Sequence, residues 1–105
     1  MTRTEHLLTI LAEECAEVAK ECSKALRFGL DDAYSGRTVK ERLEAEIVDL
    51  IAVLHMIHWN GAINSGAWNS DQINAKVDKV ERFLRYSAER GRLHEDQVPL
   101  ERAQV

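Results

Sequence analysis

The sequence is poor in residues that break helices, cross-link chains or anchor them in lipid. Its single proline, Pro99, lies in the final segment, and no proline-rich, repeated or low-complexity tract is present. Its two cysteines, Cys15 and Cys22, would be about 10 Å apart on one helix, beyond the reach of a disulfide. Unpaired thiols point to a reducing compartment, so a cytoplasmic location is expected. Asp49 and His55 interrupt the best apolar segment, which leaves no run of bilayer-spanning length and no expectation of a membrane partner. The opening "MTRTEHLLTILAEE" sets acids directly after a short apolar stretch, unlike the plan of a signal peptide. Basic excess is missing too. The net charge is −4, against the basic balance of a nucleic-acid binder.

What is present is helical periodicity. The 105 residues are 45% apolar and 30% charged, which suits one folded domain with a limited core. The spacing predicts a first helix over about Thr4–Phe28, with a stripe of Leu8, Leu11, Cys15, Val18, Cys22 and Ala25 and Gly29 as its stop. "GLDDAYSGRT" reads as a loop. A second helix opens at Thr38, where Thr38 and Glu41 have capping-box spacing, carries Leu43, Ile47, Leu50, Leu54 and Ile57, and ends near Asn60-Gly61. A third starts after Asn69 or Ser70, carries Ile73, Val77, Val80 and Leu84, and stops at Gly91. No strand is expected. Residues 1–92 form the expected domain; residues 93–105 form a tail in which Pro99 can open a short helix. The first helix also has a small-residue face of Ala12, Ala16, Ala19 and Ser23, and a helix with two buriable faces packs between neighbours. The fold class is therefore all-α: a helical bundle of three main helices per chain, completing a four-helix-type core by oligomerisation as a homodimer or homotetramer.

The acids break this pattern in a regular way. Glu14 and Glu17 are three apart, each one residue before a stripe position; Glu46 and Asp49 repeat the device on the second helix. Asp49 is set among Val48, Leu50, Ile51, Ala52, Val53 and Leu54, where an unpaired carboxylate is expensive to bury. If the two helices pack antiparallel, four carboxylates converge on one flank, and such a group calls for a cation. An all-oxygen site suits Mg²⁺, with Mn²⁺ as a substitute. Glu13 and Glu21, by contrast, read as a solvated face, with Lys20 and Lys24 at pairing distance from the neighbouring acids.

The run "EECAE" (Glu13, Glu14, Glu17), followed after 28 residues by "EIVD" (Glu46, Asp49), resembles the EExxE…ExxD signature of the MazG-like, all-α nucleoside triphosphate pyrophosphatases. "INAKVDKVERFLRY" is similar to that family's Asn-x-Lys segment, with Asn74, Lys76, Arg82 and Phe83. The resemblance implies hydrolysis of a nucleoside triphosphate to the monophosphate and pyrophosphate, with Glu14, Glu17, Glu46 and Asp49 as ligands of Mg²⁺ and Glu13 as base or outer ligand. A phosphoribosyl-ATP pyrophosphatase resembles the same plan. A non-catalytic helical dimerisation module is the alternative of another class.

Further cations are weighed beside the acids. Lys76, Lys79 and Arg82 are expected to meet phosphate from the third helix, with Asn74 on the other side of its seam. Lys24 and Arg27 suit a helix C-terminus and alternatively line the nucleotide pocket. His55 and His58 read as packing residues, with no third ligand for zinc. Trp59 and Trp68 read as hydrophobic anchors that can also stack on a base.

Overall fold

The computed structural model describes residues 1–64 and 69–94. The chain divides into two compact units, Met1–Asn64 and Ser65–Val105. The described residues are mostly helical, and the fold is all-α apart from one small hairpin.

The first unit is a helical hairpin with a β-turn at its tip. Helix α1 spans Arg3–Phe28, strand β1 Ala33–Tyr34, strand β2 Arg37–Thr38 and helix α2 Val39–Trp59. Both helices start on full capping boxes. Thr2 and Glu5 exchange bonds of 3.1 and 3.2 Å; Thr38 and Glu41 exchange bonds of 3.1 and 3.0 Å. Each box satisfies two amides that the first helical turn leaves unpaired. The expected bounds hold to within a residue or two at each end.

The hairpin corrects the strand-free expectation. Tyr34 pairs with Arg37 and Ala33 with Thr38. The two residues between the strands, Ser35 and Gly36, have φ of 52° and 81°. Positive φ at both central positions is the pattern of a type I′ turn, whose twist matches paired strands. Two-residue strands carry no periodicity of their own, so only the Ser-Gly dipeptide hinted at them.

α1 and α2 run antiparallel, as the pairings along them show. Asn60 Nδ2 donates to Thr4 Oγ1 at 2.6 Å. Leu7 clusters with Val53 and Ile57, and Ile10, Leu11 and Ile63 pack against them. Glu14 meets Glu46 and Asp49, and Lys24 meets Tyr34.

The face that α1 turns to α2 differs from the expected stripe. The covered positions include Leu7, Leu11, Glu14, Val18, Glu21 and Ala25, spaced alternately by four and three as in a close-packed helix pair, with Thr4, Ile10 and Lys24 half-buried beside them. Leu8, Cys15 and Cys22, expected in the seam, are exposed. On α2 the covered positions include Val39, Leu43, Glu46, Leu50, Val53 and Ile57, with the expected Leu54 half-buried too and Ile47 exposed. Two acids of α1 therefore lie in the seam itself, and Glu21 is only 5% exposed. Asp49 is not enclosed: it is exposed at the seam's edge, and its neighbour Val48 is exposed as well.

In the second unit, helix α3 spans Ser70–Glu89, and the Asn69 side chain accepts from Gln72 N at 2.9 Å as its N-cap. Ile73, Val77 and Leu84 are half-buried, and Val80 is exposed. Leu93 and His94 follow without regular structure. The rest of the expected tail, including Pro99, and Trp68 lie outside the described residues. Among the described residues no helix is long and apolar enough to cross a membrane.

Candidate metal centre

Because α1 and α2 are antiparallel, positions just before each seam residue fall on the same side of the pair. Glu13 and Glu17 of α1 and Asp49 of α2 are such positions. They share a flank on which the seam acids Glu14 and Glu46 emerge.

One carboxylate oxygen from each of Glu14, Glu46 and Asp49 lies within 4.8 Å of the other two. Glu14 and Glu46 are half-buried and Asp49 exposed, so the group opens to solvent on the α2 side. Glu14 Oε2 is buried without a hydrogen-bond partner. Loss of hydration, then the charges of Asp49, Glu46, Glu17 and Glu13 in that order, push the Glu14 carboxyl above its ordinary value. An unsatisfied buried oxygen beside two further carboxylates is a donor set short of a positive partner. Oxygen donors alone select a hard divalent cation, so the residues fit Mg²⁺ or Mn²⁺.

The other expected site residues fall in three places. Glu17 and Glu13 are exposed on α1, outside the close group of three, and act on it through their charge. Lys24 donates to Tyr34 Oη at 2.7 Å and pairs with Glu21 at 3.5 Å. The bond to Tyr34 and, behind it, the Glu21 charge hold its ammonium pKa above the ordinary value against partial burial. Arg27 lies over Phe28, 5.1 Å from the ring centroid, in the last turn of α1. Asn74, Lys76, Lys79 and Arg82 all lie on α3. Lys76 lines a small cavity of about 130 Å³ with Val77, Val80 and Glu81.

Two further groups stand beside these, in which Trp59 alone is a residue the sequence offers to a base. Arg42 lies 4.0 Å from the Tyr34 ring centroid, and its Nη2 donates to the Tyr34 carbonyl at 2.9 Å. Its Nε is buried without a partner, as is Glu21 Oε2. Arg42 is seven residues before Asp49 and so shares its face. That spacing was the signal that could have found it. The second group is Arg3, Met56, Trp59 and Asn60, which line a cleft of about 440 Å³ where α1 begins and α2 ends.

No protein-family model matches the chain, nor does any curated protein or solved structure.

Proposed function

We propose that this chain is a divalent-metal-dependent nucleoside triphosphate pyrophosphohydrolase of the MazG-like kind. The observation that carries the reading is the convergence of Glu14, Glu46 and Asp49 within 4.8 Å, with an unpartnered buried oxygen on Glu14. The order of the acids along the sequence, EExxE then ExxD, supports it.

In this reading Glu14, Glu46 and Asp49 would hold Mg²⁺ or Mn²⁺, and Glu17 would complete the acidic flank. The bound ion would neutralise charge on the phosphate oxygens and acidify a water. Glu13, exposed beside Glu14, takes the proton from the attacking water. The water oxygen bonds to the α-phosphorus and the bond to the bridging oxygen of the β-phosphate breaks, giving nucleoside monophosphate, pyrophosphate and one proton. Lys24 and Arg42 lie one heptad from Glu17 and Asp49 respectively, at the end of the flank suited to the leaving pyrophosphate. Arg27 stands at the same helix end.

Association of chains belongs to the same proposal. Positions just after the seam carry Leu8, Ala12, Cys15, Ala19, Cys22 and Leu26 on α1 and Ile47 and Ile51 on α2, all exposed, Leu26 at 89%. An apolar face opposite the acids supports a homodimer or homotetramer with a four-helix-type core.

The test is pyrophosphate release from a panel of ribo- and deoxynucleoside triphosphates and phosphoribosyl-ATP, with Mg²⁺ or Mn²⁺, beside calorimetric titration of each metal. Release that requires metal is expected. No release from any substrate together with no metal binding would leave only a helical dimerisation module.

A further inference from the structure

Resting on the hydrolase reading, we propose that the cleft of Arg3, Met56, Trp59 and Asn60 is the nucleobase subsite, with Trp59 as the stacking surface and Arg3 favouring bases that present a carbonyl edge.

Position comes first. Met56 is seven residues after Asp49 on α2, two turns on along the same face, or about 10.5 Å of axial rise. Ala52 stands between them and leaves that path uncrowded. Arg3 enters from the first turn of α1, and Asn60 caps α2. A nucleotide with its phosphates at the acids carries its base away from them on the sugar, and the cleft lies along that face of α2.

Chemistry comes second. Trp59 is 75% exposed, although an indole is among the most favourable groups to bury. Among the described residues its one ring contact is His55, with centroids 5.7 Å apart. Every base has a π-face to lay on such a ring. Arg3 is exposed and makes no ion pair or hydrogen bond among the described residues. Its guanidinium only donates, so it meets a carbonyl oxygen, best beside a ring nitrogen as on guanine. Asn60 uses its Nδ2 on Thr4, which fixes the amide and leaves Oδ1 as an acceptor.

The opposite end of the flank has the wrong chemistry for a base. There the Tyr34 ring is already covered by Arg42 at 4.0 Å and approached by Lys24 at 5.1 Å. Cations crowd that end and an open aromatic ring marks this one, so the substrate is oriented with phosphates toward Lys24 and base toward Trp59.

A binding measurement tests the subsite without turnover. In the full chain carrying Trp68→Phe, Trp59 is the one tryptophan. With Mg²⁺ present, GMP is expected to quench its fluorescence saturably and inorganic tripolyphosphate is not. Trp59→Ala is expected to raise the KM for GTP about tenfold or more. It should leave inhibition by tripolyphosphate unchanged, and Trp59→Phe should recover most of the loss. Arg3→Gln should narrow the gap in KM between GTP and ATP. Equal quenching by tripolyphosphate, no quenching by GMP, or an unchanged KM in Trp59→Ala overturns the proposal. Metal-dependent hydrolysis would survive each of those results, whereas saturable quenching without any pyrophosphate release would overturn the hydrolase reading and keep the base site.

Discussion

Asp49→Asn should make the metal-free protein more stable and at the same time deaf to metal. At 4.8 Å, the outer limit between Asp49 and Glu46 oxygens, two unit charges repel by about 0.9 kcal/mol at the dielectric constant of water. Asp49 is exposed, so this low figure applies rather than the larger one of an interior pair. In a domain of this size, about 1 kcal/mol moves the melting temperature by roughly 4–8 °C. The variant should therefore melt a few degrees above the parent when metal is removed. For the parent, free Mg²⁺ or Mn²⁺ at a hundred times its Kd adds about 2.7 kcal/mol, a rise of roughly 10–20 °C on the same scale. Circular dichroism melts, with ionic strength held constant by KCl so that screening is equal, read both numbers. The reasoning is refuted if Asp49→Asn melts below the parent without metal, or if it keeps the full metal-induced rise.

Two other predictions concern the frame around the site. Ile57 is fully buried against Leu7 and Val53, so Ile57→Ala should cost roughly 2–5 kcal/mol in urea unfolding, and a loss below about 1 kcal/mol would contradict that packing. Thr38→Ala should cost about 1 kcal/mol through the lost cap. It should also change the acid limb: the Thr38 backbone amide, then its hydroxyl, hold the Glu41 carboxyl below its ordinary value. The stability this contributes is present above the ordinary pH of a carboxyl and is lost as pH falls through the lowered one, so unfolding followed against pH should show a shallower acid limb in Thr38→Ala.

The helices were legible because their signals are local. Thr38-Val-Lys-Glu41, Gly29 and Asn69 act within a turn of themselves, and each ends or begins a helix where its chemistry requires. The seam was harder. Two neighbouring stripes compete on α1, and hydrophobicity favours Leu8, Cys15 and Cys22 over Leu7, Glu14 and Glu21. The structure takes the second because contact with α2 selects a stripe by its pairing with Val53, Ile57 and Glu46, which no window along α1 contains. The same limit explains the acids. Sequence spacing puts Glu14, Glu17, Glu46 and Asp49 in one group, of which Glu17 stands outside the close three, and it assigns burial to Asp49 when burial belongs to Glu14 and Glu21. Arg42 and Tyr34 went unnoticed because their partnership depends on the Ser35-Gly36 turn folding β1 back onto β2.

Acids inside the α1–α2 seam set two selection pressures against each other. Gln, Asn or Leu at positions 14, 46 and 49 would relieve repulsion or fill the seam, and so a library screened for heat resistance in chelator should accumulate them. The survivors would be robust and inert. Under the proposed function, directed evolution of this chain has to be run with Mg²⁺ or Mn²⁺ present, so that the carboxylates count as assets to the fold and not as faults in it.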